Sequence, residues 1–319
     1  MTISIRTFVG TVALLILISS QVVTRAAPKF TDWGAPGNLG CATDLPPGIN
    51  STFNDEGPAL SKKGDSLYFG SNRPTAPDDV ILDLNLWVTK WEPVDARWGQ
   101  PTYLGPTVNS AGTDNIPLLS RDGHWLFFNS DRSGGQGGVD IWVSWRPQVD
   151  DDFGWETPVN LGPLVNTAGF DGGAAYFEND DEGVPLLFFG SGPVNVLADI
   201  YVSELRDGAW GTPVKIEQLS TAGFFEARPS IRFDGLELFL FSNRTPGQGT
   251  VDLWQSTRED VNDPWEAPTN LGPVVNSAFI DQQPHIAADR QTLFFVSNRP
   301  GGCGGSDLYV TTRDKVKGE

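Results

Sequence analysis

Cysteine is nearly absent from this 319-residue chain, and with only Cys41 and Cys303 present a disulfide-dense scaffold or a thiolate metal cluster cannot account for its fold. Histidine occurs twice, at His124 and His285, and no zinc spacing, Ser-His-Asp order or phosphate-binding loop stands out. Basic residues are few, since 22 Lys and Arg stand against 40 Asp and Glu, and the net charge of -18 makes nucleic acid and anionic membranes poor partners. A cation, a basic protein or a neutral polymer such as a glycan remains compatible with that field. Long apolar runs are missing too. The stretch from Phe8 to Ile18 is short of the about 20 residues a bilayer-spanning helix needs.

That short run follows Arg6 and precedes small residues, the order of a secretory signal peptide. Thr24 and Ala26 suit the small-residue positions, so residues 1–26 are expected to be cleaved, leaving 27–319 as a single mature domain. Loss of Arg6 and Arg25 takes the net charge to -20. A periplasmic or secreted monomer with no membrane insertion after cleavage is the expectation.

What the chain has in quantity is repetition. Trp98, Trp155, Trp210 and Trp265 recur every 55 to 57 residues, opening the phrases WGQPTYLG, WETPVNLG, WGTPVKI and WEAPTNLG. A fifth copy, Trp33 to Gly40 (WGAPGNLG), stands near the N-terminus with no repeat before it. Behind each phrase comes a proline-led block, as in Pro117 to Arg132 (PLLSRDGHWLFFNSDR) and Pro284 to Arg299 (PHIAADRQTLFFVSNR). This reads as a strand, a tight turn and an aromatic, β-branched strand. A further strand follows in Asp140-Ile-Trp-Val, Asp199-Ile-Tyr-Val, Asp252-Leu-Trp and Asp307-Leu-Tyr-Val, with Asn85-Leu-Trp-Val in the first copy. Four strands per repeat is the content of a propeller blade. The third copy departs, because Glu178 to Gly190 (ENDDEGVPLLFFG) lacks both the Asp-Gly turn and the arginine.

These blocks resemble the TolB-type propeller repeat, a relative of the WD repeat, with its Pro-led strand, Asp-Gly turn, strand ending Ser-Asn-Arg and Asp-Leu-Tyr strand. The resemblance implies an all-β propeller engaged in envelope or extracellular interaction. Counting repeats predicts five blades. The orphan N-terminal phrase should complete the last blade, leaving no open sheet edge. Cys41 follows that phrase and Cys303 precedes its pairing strand, so a Cys41–Cys303 disulfide locking the ring is expected, contributing about 4–5 kcal/mol on the loop-entropy argument.

Three residues before each inner-strand proline, or before Ala174 in the third copy, stand Asp55, Asp114, Asp171, Glu226 and Asp281. One reading makes these five a ring at the channel mouth that holds a cation such as Ca²⁺ or does acid–base work. The other makes each a turn cap, in keeping with the Asn-x-x-x-x-Asp spacing at Asn50/Asp55, Asn109/Asp114, Asn166/Asp171 and Asn276/Asp281. Arg73, Arg132, Arg244 and Arg299 are expected to pair within their blades with Asp140, Asp252 and Asp307. Residues that do not repeat carry more information about function. Arg228, Gln283 and His285, with Glu226 and Gln282, form the expected polar pocket wall.

Two functions follow. The first is a binding protein that presents the acid-ringed face to a protein, glycan or cation. The alternative is a carbohydrate-active hydrolase or lyase, or a lactonase, with its site at the channel mouth. Five-bladed propellers look like the scaffold of several glycosidase families. Asp55, Asp171 and Glu226 are then the candidate catalytic acids and His285 the candidate base.

Overall fold

The computed structural model describes residues 29–76, 82–178, 183–194 and 197–316. The signal-peptide reading falls outside them. Five antiparallel sheets stand around a common axis, with no helix among the described residues, and the all-β five-bladed propeller expected from the repeat is the observed fold.

The inner strands are Asp55–Leu60, Asp114–Leu119, Phe170–Glu178, Glu226–Ile231 and Asp281–Ile286. The second strands run over Ser66–Ser71, Trp125–Ser130, Pro185–Val194, Glu237–Ser242 and Thr292–Ser297. Asn85–Glu92, Asp140–Trp145, Leu197–Arg206, Asp252–Thr257 and Asp307–Thr312 come third. Short outer strands, such as Val159–Asn160 and Thr269–Asn270, finish each blade. Blade 5 takes its outer strand from the other end of the chain, where Gly37 and Asn38 pair with Val310 and Tyr309. Cys41 and Cys303 are bonded beside that junction, with a Cα–Cα distance of 5.4 Å.

Alternation along the second strands places the core between blades rather than within them. Leu238 and Leu240 pack toward blade 3, while Phe239 and Phe241 pack toward blade 5. Each of the five seams is thereby an apolar layer of its own.

Polar groups lock the same seams. Asn276 accepts from the Leu253 N–H at 2.9 Å and donates to the Leu253 carbonyl at 3.0 Å, so its amide acts as one more rung on blade 4. Asn50, Asn109 and Asn166 do the same to Leu308, Leu86 and Ile141. The Asn half of the repeated spacing is therefore a staple between the chain entering one blade and the third strand of the blade before it. A second lock is a guanidinium stacked on the phrase tryptophan: Arg146 on Trp155 at 4.3 Å, Arg258 on Trp265 at 4.3 Å and Arg313 on Trp33 at 4.4 Å. Blades 1 and 3 have Trp91 and Leu205 at the corresponding position.

Candidate active site at the channel mouth

All five first-strand acids are fully buried. Asp281 is typical: its Oδ2 accepts from the Ser277 backbone N–H at 2.5 Å and the Ser277 hydroxyl at 2.7 Å, and its Oδ1 accepts from Arg299 at 2.5 Å. Asp55 holds Ser51 and Arg73 in the same way, and Asp114 holds Ser110 and Arg132. Glu226 takes Ser242 at 3.0 Å, Arg244 at 3.1 Å and the Thr221 N–H at 3.3 Å. These carboxylates are spent inside their own blades as turn caps and arginine partners. Among the described residues no three His, Cys, Asp or Glu side chains come together as a metal site.

The arginine pairing expected from sequence is corrected by this geometry, because Arg73, Arg132, Arg244 and Arg299 reach the first-strand acids. The third-strand aspartates cap the glycine-rich loops before them. Asp252 accepts from the Gln248 and Gly249 N–H groups, and Asp307 from those of Cys303 and Gly304.

Blade 3 breaks the pattern. Pro193 stands where the other blades have arginine, and Oδ1 of Asp171 is buried with no hydrogen-bond partner. Burial raises the Asp171 pKa, with partial relief from Ser191 and Thr167.

Two residues beyond each first-strand acid the backbone enters the left-handed region, at Gly57, Ile116, Gly173, Arg228 and Gln283, and the ladder with the second strand slips there in every blade. Glycine is required at two of the five. A Cβ on Gly57 would lie 2.9 Å from Nη1 of Arg228, and one on Gly173 would lie 2.7 Å from its Cα. Ile116, Arg228 and Gln283 accept φ values of 54°, 47° and 56°, each at a cost of about 1–3 kcal/mol.

The bulges bring Arg228 into the channel. Its Nη2 donates to the Pro58 carbonyl at 2.9 Å and its Nη1 to Gln283 Oε1 at 3.3 Å, while the Gly57 N–H donates to the same oxygen at 2.7 Å. This cross-blade bonding closes the waist. Desolvation brings the buried Arg228 pKa down to about 9, against partial support from Glu56. Beyond the waist lies a cavity of about 20 Å³, lined by residues of all five inner strands, including Leu60, Leu118, Tyr176, Ile231 and His285. That space holds about one water.

Of the expected pocket wall, the structure brings Arg228 and Gln283 together. It places His285 on the far side of the waist, where Nε2 accepts from the Leu60 N–H at 3.0 Å. Burial, then the Arg228 charge, push its pKa down to about 3. A lone pair so used leaves His285 no free base site. Glu226 faces Arg244 instead. His124 lies in the opposite-face turn, stacked on Trp145 and bonded through Nδ1 to the Arg146 carbonyl at 2.8 Å.

Sequence reasoning missed Glu56. At the position after the first-strand acid the five blades carry Glu56, Asn115, Gly172, Ala227 and Gln282, and Glu56 is the single acid. Its side chain is half-buried and lies 3.5 Å from Nε2 of Gln283. Burial raises its pKa, with relief from Gln283 and Arg228. The signal was available, because unrepeated positions are where function departs from scaffold.

No family model matches the sequence, and no curated protein is similar to it. Solved structures do match. A GH62 α-L-arabinofuranosidase catalytic domain of Coprinopsis cinerea aligns with a TM-score of 0.60 and 15% identity, over 90% of this chain and 98% of that one. A thermostable family-43 glycoside hydrolase gives 0.57 and 14%, over 85% and 92%. An α-L-arabinofuranosidase of Podospora anserina, solved with cellotriose, gives 0.56 and 14%, over 90% and 98%. At such identity the likeness establishes the fold. It also corrects the TolB-type resemblance, since the matching propellers are glycoside hydrolases and no repeat-family model is matched. The binding-protein reading loses its basis with it: of the acids on the face it invoked, Asp55, Asp114, Glu226 and Asp281 are turned inward to arginine and Asp171 is buried without one.

Proposed function

We propose that this chain is a carbohydrate-active hydrolase working at the channel mouth on the face of the first-strand acids, with Glu56 as its proton donor. The observation that carries this reading is Glu56 itself, half-buried beside Gln283 and held above its ordinary pKa by desolvation. Glycoside cleavage requires a carboxyl group that keeps its proton until the departing oxygen needs it. Asn115 and Gln282, partly exposed at the same position of neighbouring blades, offer amides to sugar hydroxyls. Backbone strain at Ile116, Arg228 and Gln283 gathers at this waist, and strain of that kind collects at working sites. The glycoside hydrolases that share the fold support the choice of substrate class. With the first-strand acids shut behind arginine or buried, Glu56 serves both halves of the step: it gives its proton to the departing oxygen as the glycosidic bond breaks, and the carboxylate left behind takes a proton from the water that adds to the sugar carbon.

Reducing-sugar release from arabinan, xylan and galactan tests the proposal. Glu56→Gln should lower turnover by about 10²–10⁴-fold, the range of general acid catalysis, with melting unchanged. Undiminished turnover in Glu56→Gln, or no release from any of the three by the wild type, overturns it.

A further inference from the structure

Gln283 works outside its own blade. The bulge that sets its φ at 56° carries the side chain of this blade 5 residue across the channel, and the hydrogen bonds it makes there go to blades 1 and 4. Its Oε1 accepts from the Gly57 N–H at 2.7 Å and from Nη1 of Arg228 at 3.3 Å. A backbone amide nitrogen and a guanidinium have no acceptor to offer, so the Gln283 amide cannot be turned over. Its Nε2 then faces the other way, toward Oε2 of Glu56 at 3.5 Å.

Closing the waist uses the oxygen of that amide alone. The nitrogen has one hydrogen-bond partner among the described residues, and it is Glu56. A donor held against Oε2 decides where the carboxyl proton sits, because Nε2–H gives and cannot receive. In neutral Glu56 the proton is carried by Oε1, which accepts no hydrogen bond from a described residue. The neighbouring charges are already placed: Arg228 lies behind the amide, Asp55 is bonded to Arg73, and His285, beyond Arg228, is uncharged above about pH 3. Burial holds the proton on Glu56, while Gln283 and then Arg228 ease its departure.

We propose that Gln283 is the positioning residue of the channel-mouth site: it turns the Glu56 carboxyl so that Oε1 presents the proton to the substrate, and it steadies the carboxylate that remains. This rests on the reading of Glu56 as proton donor. As the glycosidic C–O bond breaks, the Oε1 proton passes to the departing oxygen, and the charge gathering on Oε2 meets Nε2–H with Arg228 behind it. Water adding to the sugar carbon returns its proton to the carboxylate.

Two variants of the full chain separate positioning from closing the waist. Gln283→Glu keeps an oxygen for Gly57 and Arg228 but sets an acceptor against Glu56, and Gln283→Met keeps the length while removing the donor without adding charge. The Glu56 titration, followed by NMR of glutamate carboxyl carbons and assigned by its absence in Glu56→Gln, needs no substrate. It should move up by about one pH unit or more in Gln283→Glu and by a smaller step in Gln283→Met. On the polysaccharide that the wild type cleaves, kcat should fall at least about tenfold with KM within about twofold, and the alkaline limb of kcat/KM should move with the NMR value. Should loss of the Gly57 acceptor unfold Gln283→Met, Gln283→Glu alone decides. A Glu56 titration unmoved in either folded variant, or a raised KM with kcat unchanged, overturns the inference. Sugar release that Glu56→Gln leaves undiminished strikes the proton-donor reading instead, so the two failures are read separately.

Discussion

Arg299 donates through the same Nη2 to the Asp281 carboxylate at 2.5 Å and to the Val275 carbonyl at 2.7 Å. One guanidinium thus ties the end of a second strand to the segment that feeds the inner strand. Arg73 with Asp55 and Ile49, and Arg132 with Asp114 and Val108, repeat the arrangement. Its regularity marks a structural part of the blade.

Asp281→Asn should therefore destabilise the fold by about 3 kcal/mol, the low end for breaking a buried pair, because the Arg299 side chain keeps 17% exposure. Chemical denaturation with and without EDTA or added calcium measures this. Both carboxylate oxygens already have partners, so calcium should raise the melting temperature of neither protein. A calcium-dependent rise in the wild type that vanishes in Asp281→Asn would instead place a cation in the ring.

The fold was legible because its determinants are local and repeated. The tryptophan phrases set the blade length, the alternation of residues such as Leu238 and Phe239 sets the two seams, and the orphan phrase at Trp33 sets closure. The acids at the inner-strand starts were legible as a set, but their role was not. Sequence fixes that Asp281 and Arg299 recur eighteen residues apart, whereas the strand register decides which aspartate the arginine meets. Glu56 was visible as the single acid at its repeat position, but its role was not, for a related reason. Its importance comes from the bulge at Gly57 and from the depth at which Arg228 closes the channel, and neither is written in residue types alone.

His285 is a buried neutral imidazole whose pKa is pushed down to about 3. An unfolded chain takes up that proton near pH 6.5, so between pH 6.5 and about 3 the unfolded state binds more protons and stability falls as the solution is acidified. Between pH 7 and pH 5 this should remove about 2 kcal/mol. His285→Gln, which keeps an acceptor for the Leu60 N–H, should lose less over the same interval. Urea midpoints of both proteins at pH 7 and pH 5 decide it, and parallel losses would show that His285 takes no part.

Asp171 should behave in the opposite sense. Its Oδ1 lacks the arginine that its counterparts have, and burial holds its pKa above the ordinary value. The folded state therefore binds this proton more tightly than the unfolded chain, whose aspartate titrates near pH 3.9, and stability falls as pH rises from there through the folded pKa. Asparagine at this position keeps the oxygen that accepts from Thr167 and removes the charge that blade 3 leaves uncompensated. Asp171→Asn should consequently gain on the wild type between pH 4 and pH 7, by no more than about 1.4 kcal/mol for each unit by which the folded pKa is raised. The same substitution at Asp281 removes a charge that Arg299 needs and should destabilise at neutral pH. Denaturation midpoints at pH 4 and pH 7 for Asp171→Asn check the argument: a stability difference from the wild type that is equal at both pH values would mean that Asp171 binds its proton no more tightly in the fold than in the unfolded chain, and would overturn it.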